Sequence, residues 1–146
     1  MLKPIITNAD LKALDKISHL SPDELKLLQH AGMSESKIQQ WCKQIFDAKF
    51  GDSGRFIQID NGGGFQSIAR KAQKKREGTL AGAPDSMLVG KGGKIVFVEF
   101  KRIGSPSTTT PRPEQLQVHE VLRGFGFTVF VTNNVVFFEK VICEYF

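Results

Sequence analysis

Two carboxylates and an amine stand close together in the tract G-A-P-D-S-M-L-V-G-K-G-G-K-I-V-F-V-E-F-K, residues 82 to 101. Asp85 follows Pro84 at the head of a short apolar run, Gly90 to Gly93 can reverse the chain, and Lys94 to Lys101 alternates as a second strand. Side chains alternate along a strand, so Ile95, Phe97, Glu99 and Lys101 share one face while Val96, Val98 and Phe100 share the other. A hairpin of this kind brings Asp85 towards Glu99, with Lys101 beside them. Two hard oxygen donors suit Mg²⁺ or Mn²⁺, and a phosphate can complete the coordination shell. A second reading is open on spacing alone: a buried structural contact between Glu99 and Lys101, with Asp85 in a surface turn. Either way, charges on a face that ought to be buried are costly unless they are paired or hold a metal.

The succession Pro84-Asp85, Glu99-Phe100-Lys101 and a downstream Gln115 at a helix start resembles the PD-(D/E)xK nuclease superfamily. Within it the sequence is similar to the virus-type replication-repair nuclease (VRR-NUC) domain, whose pattern runs G-x-P-D, E-x-K and a later Q. The resemblance spans roughly residues 34 to 146, including the closing tract E-Q-L-Q-V-H-E-V-L-R-G-F-G-F-T-V-F-V-T. It implies a restriction-endonuclease-like αβββαβ core and one or two Mg²⁺ or Mn²⁺ ions held by Asp85, Glu99 and the backbone carbonyl of Phe100. It also implies catalytic roles for Asp85, Glu99, Lys101 and Gln115. Stand-alone members of that family are often viral, act as homodimers and cleave branched DNA such as Holliday junctions in DNA repair, while some family domains prefer flaps.

The elements needed to position these groups are legible around them. From Ser34 a helix is expected, with Ile38, Trp41, Cys42, Ile45 and Phe46 as its buried stripe. Glu35 falls on that inward side at the helix N-terminus. It is either an exposed first-turn acid favoured by the macrodipole or, as the resemblance implies, a third metal-site carboxylate. Arg55 to Asp60 alternates as a strand, and Asn61-Gly62-Gly63-Gly64 follows as a turn without the Lys-Ser/Thr of a phosphate-cradling loop. Phe65 to Gly78 is helical in character and densely basic, with Arg70, Lys71, Lys74, Lys75 and Arg76. Such a tract is either a solvated face or a grip on the phosphodiester backbone, which would be salt-dependent and indifferent to sequence.

Beyond the hairpin, residues 102 to 113 read as a Ser/Thr/Pro-rich loop bordering the site, where Arg102 is either a surface residue or a phosphate contact. A helix from about Glu114 to Arg123 follows, with Gln115, Val118, Leu122 and Phe125 on one face; a buried glutamine there must find hydrogen-bond partners. Phe127 to Thr132 is a strongly apolar strand. The tail is expected to close as a helix capped by an Asn, with Phe138, Val141, Ile142 and Tyr145 at helical spacing. Ahead of all this, residues 1 to 33 read as an extension of two short helices, the second opened by the capping box Ser21-Pro22-Asp23-Glu24. The expected architecture is α/β with a mixed central sheet in one domain of residues 34 to 146.

Composition sets the outer bounds. A chain of 146 residues holds one domain with a sizeable core, and its net charge of +5 with pI near 9.3 is compatible with a polyanionic partner. Cys42 and Cys143 show no metal-ligand spacing, and His19, His30 and His119 are scattered as packing or surface residues. The first ten residues lack the apolar centre of a signal peptide, and no run approaches the ~18 apolar residues of a membrane span. A cytoplasmic location is expected, in a bacterium or a phage-infected host, with no membrane partner and no secretion.

Taken with the resemblance, these features lead to the expectation of a metal-dependent endodeoxyribonuclease using activated water, since no Ser or Cys has a base partner. The resemblance further implies structure selectivity, with branched DNA and a homodimer as the expected partners. A monomeric flap or single-strand nuclease, a metal-dependent enzyme acting on RNA, and a non-catalytic nucleic-acid-binding module of the same fold are the alternatives. No helix-turn-helix or zinc finger argues for sequence-specific cutting.

Overall fold

Ser34 opens the first helix, its Oγ accepting from the Lys37 amide, with acidic Glu35 in the first turn where the helix dipole favours it. The computed structural model describes residues 34–61, 64–102 and 110–146; the expected helices of residues 1 to 33 lie outside them. This helix, α1 (Glu35–Phe50), buries Ile38, Cys42 and Phe46 completely. Trp41 was expected in the same stripe and is instead 45% exposed. At 100° per residue it lies about 60° round the helix from Ile38, on the side away from Cys42 and Phe46.

Strand β1 (Gly54–Gln58) leads through residues 59–61 to α2 (Ile68–Arg76), capped by Ser67. Strand β2 (Ser86–Gly90) and strand β3 (Lys94–Phe100) form the expected antiparallel hairpin, turned by a short 3₁₀ segment in which Gly92 and Gly93 take positive φ. Helix α3 (Pro113–Gly124) crosses over to β4 (Thr128–Thr132), which pairs parallel with β3, and α4 (Val135–Tyr145) closes the chain. The sheet order is β1-β2-β3-β4, antiparallel except for the last pair, so it is the mixed sheet of an α/β fold.

Burial separates the two faces of the sheet. Val96, Val98 and Phe100 of β3, with Leu88 and Phe130, join Ile38, Cys42 and Phe46 of α1 and Phe138, Val141 and Ile142 of α4 in one apolar core. Each such side chain contributes about 1.5–3 kcal/mol by leaving water. Phenylalanine rings run through this layer, Phe100 against Phe56 and Phe138, Phe46 edge-on to Phe146 at 5.2 Å. Asn134 caps α4 by accepting from the Phe137 amide at 3.0 Å, so the tail closes as the expected Asn-capped helix. On the other face lies α3, and the residues β3 turns towards it are Glu99 and, just past the strand, Lys101.

Gly82, just ahead of the hairpin, packs against α3. Its φ is +84°, and a Cβ there would meet the Glu114 carbonyl oxygen at 2.6 Å. The glycine therefore lets the segment before Asp85 lie directly against the first turn of α3, where Gln115 stands. Gly82→Ala is expected to cost ~1–3 kcal/mol through backbone strain and that clash, read as a Tm lower by roughly 3–10 °C with the circular dichroism spectrum otherwise preserved.

Candidate active site

Register carries Asp85 to Glu99. Ser86 pairs with Val98 across the hairpin, so one step further places Asp85 opposite Glu99. Asp85 Oδ2 accepts from the Phe100 amide at 2.8 Å, and its Oδ1 accepts from Asn61 Nδ2 at 3.1 Å. The two contacts, one on each oxygen, fix the orientation of the carboxylate. Asn61 was expected only as part of a turn. No local signal marks it, because its partner is 24 residues away.

Glu99, Lys101 and Gln115 form a closed triangle. Lys101 Nζ donates to Glu99 Oε1 at 2.8 Å and to Gln115 Oε1 at 3.1 Å, while Gln115 Nε2 donates to the same Glu99 oxygen. Gln115 Oε1 also accepts from the Arg112 amide at 2.8 Å, so the side chain caps its own helix while holding the site. Its carbonyl takes two donors and its amide faces a carboxylate, which leaves no freedom in how the group is turned. Glu99 is fully buried and Lys101 nearly so, as alternation along β3 requires.

This arrangement leaves two conspicuous valences. Glu99 Oε2 is buried and accepts no hydrogen bond. Lys101 has three ammonium donors, of which Glu99 and Gln115 take two. Burial pushes the Glu99 carboxyl up to about 7, with the Asp85 charge adding to the rise and Lys101 opposing it. Burial also raises Asp85, against the pull of the Phe100 amide, Lys101 and Asn61. Glu35, half-buried at the start of α1, is raised by burial and by Asp85, and is eased by Lys101, Arg102 and Arg112. Three acids thus share one field in which their joint ionisation is unfavourable. A divalent cation is the natural relief for such a set, and an unpartnered buried carboxylate oxygen fits one. Among the described residues no three His, Cys, Asp or Glu side chains close round a single point, so Glu35 flanks the Asp85–Glu99 pair.

The remaining expected residues divide clearly. Arg102 is exposed, close enough for its charge to act on Glu35, and Arg112, not anticipated, acts on the same carboxyl. Arg70, Lys71, Lys75 and Arg76 are exposed on α2, while Lys74 is half-buried and bonded to Asp60 at 2.6 Å. Phe125 was expected to turn inward with Gln115. It caps the end of α3 and is 73% exposed, because the helix stops there and the chain leaves through Gly126 at φ 95°. His119, one turn after Gln115, takes the buried place instead. That i to i+4 spacing was the signal available for it.

No helix among the described residues is long and apolar enough to cross a membrane. No family model matches the sequence, and no curated protein matches it either. The fold is similar to a solved structure described as a VRR_NUC domain, with a TM-score of 0.55 and 28% identity over 78% of this chain and 100% of that one.

Proposed function

Because the chain carries a VRR-NUC nuclease domain, we propose that it is a divalent-metal-dependent endodeoxyribonuclease acting on branched DNA. The observation that carries this reading is the convergence of Asp85, Glu99, Lys101 and Gln115, with one buried Glu99 oxygen left without a partner. Asp85, Glu99 and the Phe100 carbonyl would hold Mg²⁺ or Mn²⁺, with Glu35 as a flanking acid. The ion when bound supplies Lewis-acid polarisation of the scissile phosphate and a lower pKa for the attacking water.

The chain's own residues do the rest. Lys101 aims its third ammonium proton at a phosphoryl oxygen or at the water, offsetting charge that grows in the transition state. Gln115 keeps Lys101 on Glu99 and prevents it from swinging out. Asn61 and the Phe100 amide hold the Asp85 carboxylate in one orientation, so little reorganisation is needed when substrate arrives. The basic face of α2 and Arg102 engage the phosphodiester backbone. A homodimer with its sites related by a twofold axis would suit symmetric nicking of a four-way junction. A monomer would suit flaps or single strands, a reading favoured by the cleft described below.

Labelled four-way junction, flap, single-stranded and linear duplex DNA, each incubated with Mg²⁺, Mn²⁺ or EDTA, test the proposal. Metal-dependent cutting that is faster on a branched substrate than on linear duplex is expected; binding to all four without cutting under any metal would leave a non-catalytic module. Gln115→Ala is expected to lower kcat by roughly 10–100-fold, the usual size of an outer-shell loss, with KM little changed. A purely structural glutamine would instead lower Tm without altering the rate of the folded fraction.

A further inference from the structure

Helix α2 holds five basic residues in nine, and none of its residues is buried. A helix of that length is marginal by itself in water; the Lys74–Asp60 pair ties it to the segment after β1, and the Thr79 amide on the Lys74 carbonyl at 2.9 Å closes its own last turn. Yet it presents apolar groups to solvent. Phe65, just ahead of it, is fully exposed, Ile68 is 89% exposed and Leu80 just beyond it is 54% exposed. On the helical wheel Ile68, Ala72 and Lys75 fall in one row, with Lys71 beside them. Lys71, Lys75 and Arg76 make no ion pair with an acidic side chain among the described residues.

Beneath this face is a cleft of about 640 Å³ lined by Asn61, Lys71, Lys74, Lys75 and Leu80, among others. Its size lies within the ~300–1,000 Å³ of clefts that take small molecules or single residues of a polymer. Asn61 is common to the cleft and the active site, since its other face donates to Asp85. Lys71, Lys74 and Lys75 line the cleft with Leu80, and Phe65 and Ile68 stand exposed on the same stretch of chain; cations beside exposed apolar groups are complementary to a chain of phosphates bearing exposed base faces. A paired duplex hides those faces inside its stack.

We propose that α2, Phe65 and the adjoining cleft form a binding site for an unpaired DNA strand. Phe65 and Ile68 stack against bases at the point where that strand leaves a duplex, and Lys71 and Lys75 hold its phosphates. The strand then passes Asn61 into the Asp85 site. The inference rests on the nuclease reading and narrows its substrate to DNA with a single-stranded arm, such as a flap or fork, over a fully paired four-way junction.

Fluorescence anisotropy in EDTA, where no cleavage takes place, tests it with the full chain on a labelled dT oligonucleotide, a flap and a blunt duplex. Phe65→Ala is expected to weaken the oligonucleotide and the flap on the order of tenfold and the duplex less than about twofold, and Phe65→Trp to restore both. The double variant Lys71→Ala/Lys75→Ala is expected to weaken all three and to flatten the salt dependence by about 1.4 units of slope on the single strand and about 1.8 on the duplex. Equal loss on duplex and single strand from Phe65→Ala overturns the proposal, as does no loss at all. A lower Tm or a changed elution volume for Phe65→Ala with unaltered oligonucleotide affinity also overturns it, showing the patch covered by residues 1 to 33 or by a second copy. Selective single-strand binding in a protein that cuts nothing with metal would instead sink the nuclease reading and leave this site standing.

Discussion

Asp85→Asn is expected to reduce metal-supported cleavage by about a thousandfold or more, roughly 4 kcal/mol of barrier at ~1.4 kcal/mol per decade, with Tm within ~3 °C of wild type. The two halves of this expectation come from different atoms. The substituted amide keeps a carbonyl for the Phe100 N–H, now bonded at 2.8 Å, and Asn61 can turn its own amide to meet the new N–H₂. The fold therefore loses little. What vanishes is the negative charge opposite Glu99, on which the proposed binding of a divalent cation depends. Burial raises the Glu99 carboxyl first and the Asp85 charge second, so the variant should also let Glu99 ionise more readily. Cutting that survives in Asp85→Asn at more than about a tenth of the wild-type rate would remove Asp85 from the reaction. A collapse of Tm would show that the carboxylate is structural.

The second large effect is a stability that falls as pH rises in the metal-free protein. Glu99 is carried from 4.5 to about 7 in the fold. Below about 4.5 both folded and unfolded chains hold its proton, and the stabilisation is fully present. Between about 4.5 and 7 the unfolded chain has released the proton while the folded one keeps it, so each step up in pH favours unfolding. Above about 7 the loss is complete. The full difference is of order 3 kcal/mol, and Asp85 and Glu35, both raised by burial, act in the same direction. Thermal melts in EDTA from about pH 5 to 8 measure it, with Glu99→Gln as the control that should lose most of the slope. Adding Mn²⁺ should raise Tm far more at pH 8 than at pH 5, because the ion competes with protons for the same oxygens. A wild-type slope no steeper than that of Glu99→Gln would mean that Glu99 is ionised in the fold without cost.

The two predictions bear on one physical point. Carboxylates strained in this way hold in reserve free energy that a divalent cation would release. Lys101 relieves only part of that strain, and Gln115, tied to the Arg112 amide at 2.8 Å, prevents the triangle from relaxing further. Stability in the absence of metal and activity in its presence should therefore trade against each other at these positions.

Much of the scaffold was legible in the amino-acid sequence because it depends on local covalent geometry. Alternation in Lys94 to Lys101 put Glu99 and Lys101 on one face and Val96, Val98 and Phe100 on the other, which is how the strand is buried. Ser34, Ser67 and Asn134 stand where caps belong and do accept from the amides of the first turns. Gly90 to Gly93 reversed the chain as glycines permit. The order of Asp85, Glu99, Lys101 and Gln115 was enough to indicate a nuclease-like fold. Burial of particular residues was less accessible, because it depends on where one element meets another. Trp41 and Phe125 obey the apolar pattern and face solvent, whereas His119 is enclosed because α3 settles on the acidic face of the sheet.

Only the tertiary structure could join Asn61 to Asp85, make Gln115 Oε1 serve Lys101 and a helix cap together, or strand Glu99 Oε2 without a partner. The Asn61–Asp85 and Lys101–Gln115 contacts join residues 24 and 14 apart in the chain, and the stranding of Glu99 Oε2 follows from exclusion of water by the assembled fold. Residue type and spacing determine which chemistry is possible here; desolvation, which no single segment possesses, raises the Glu99 carboxyl and so decides its protonation.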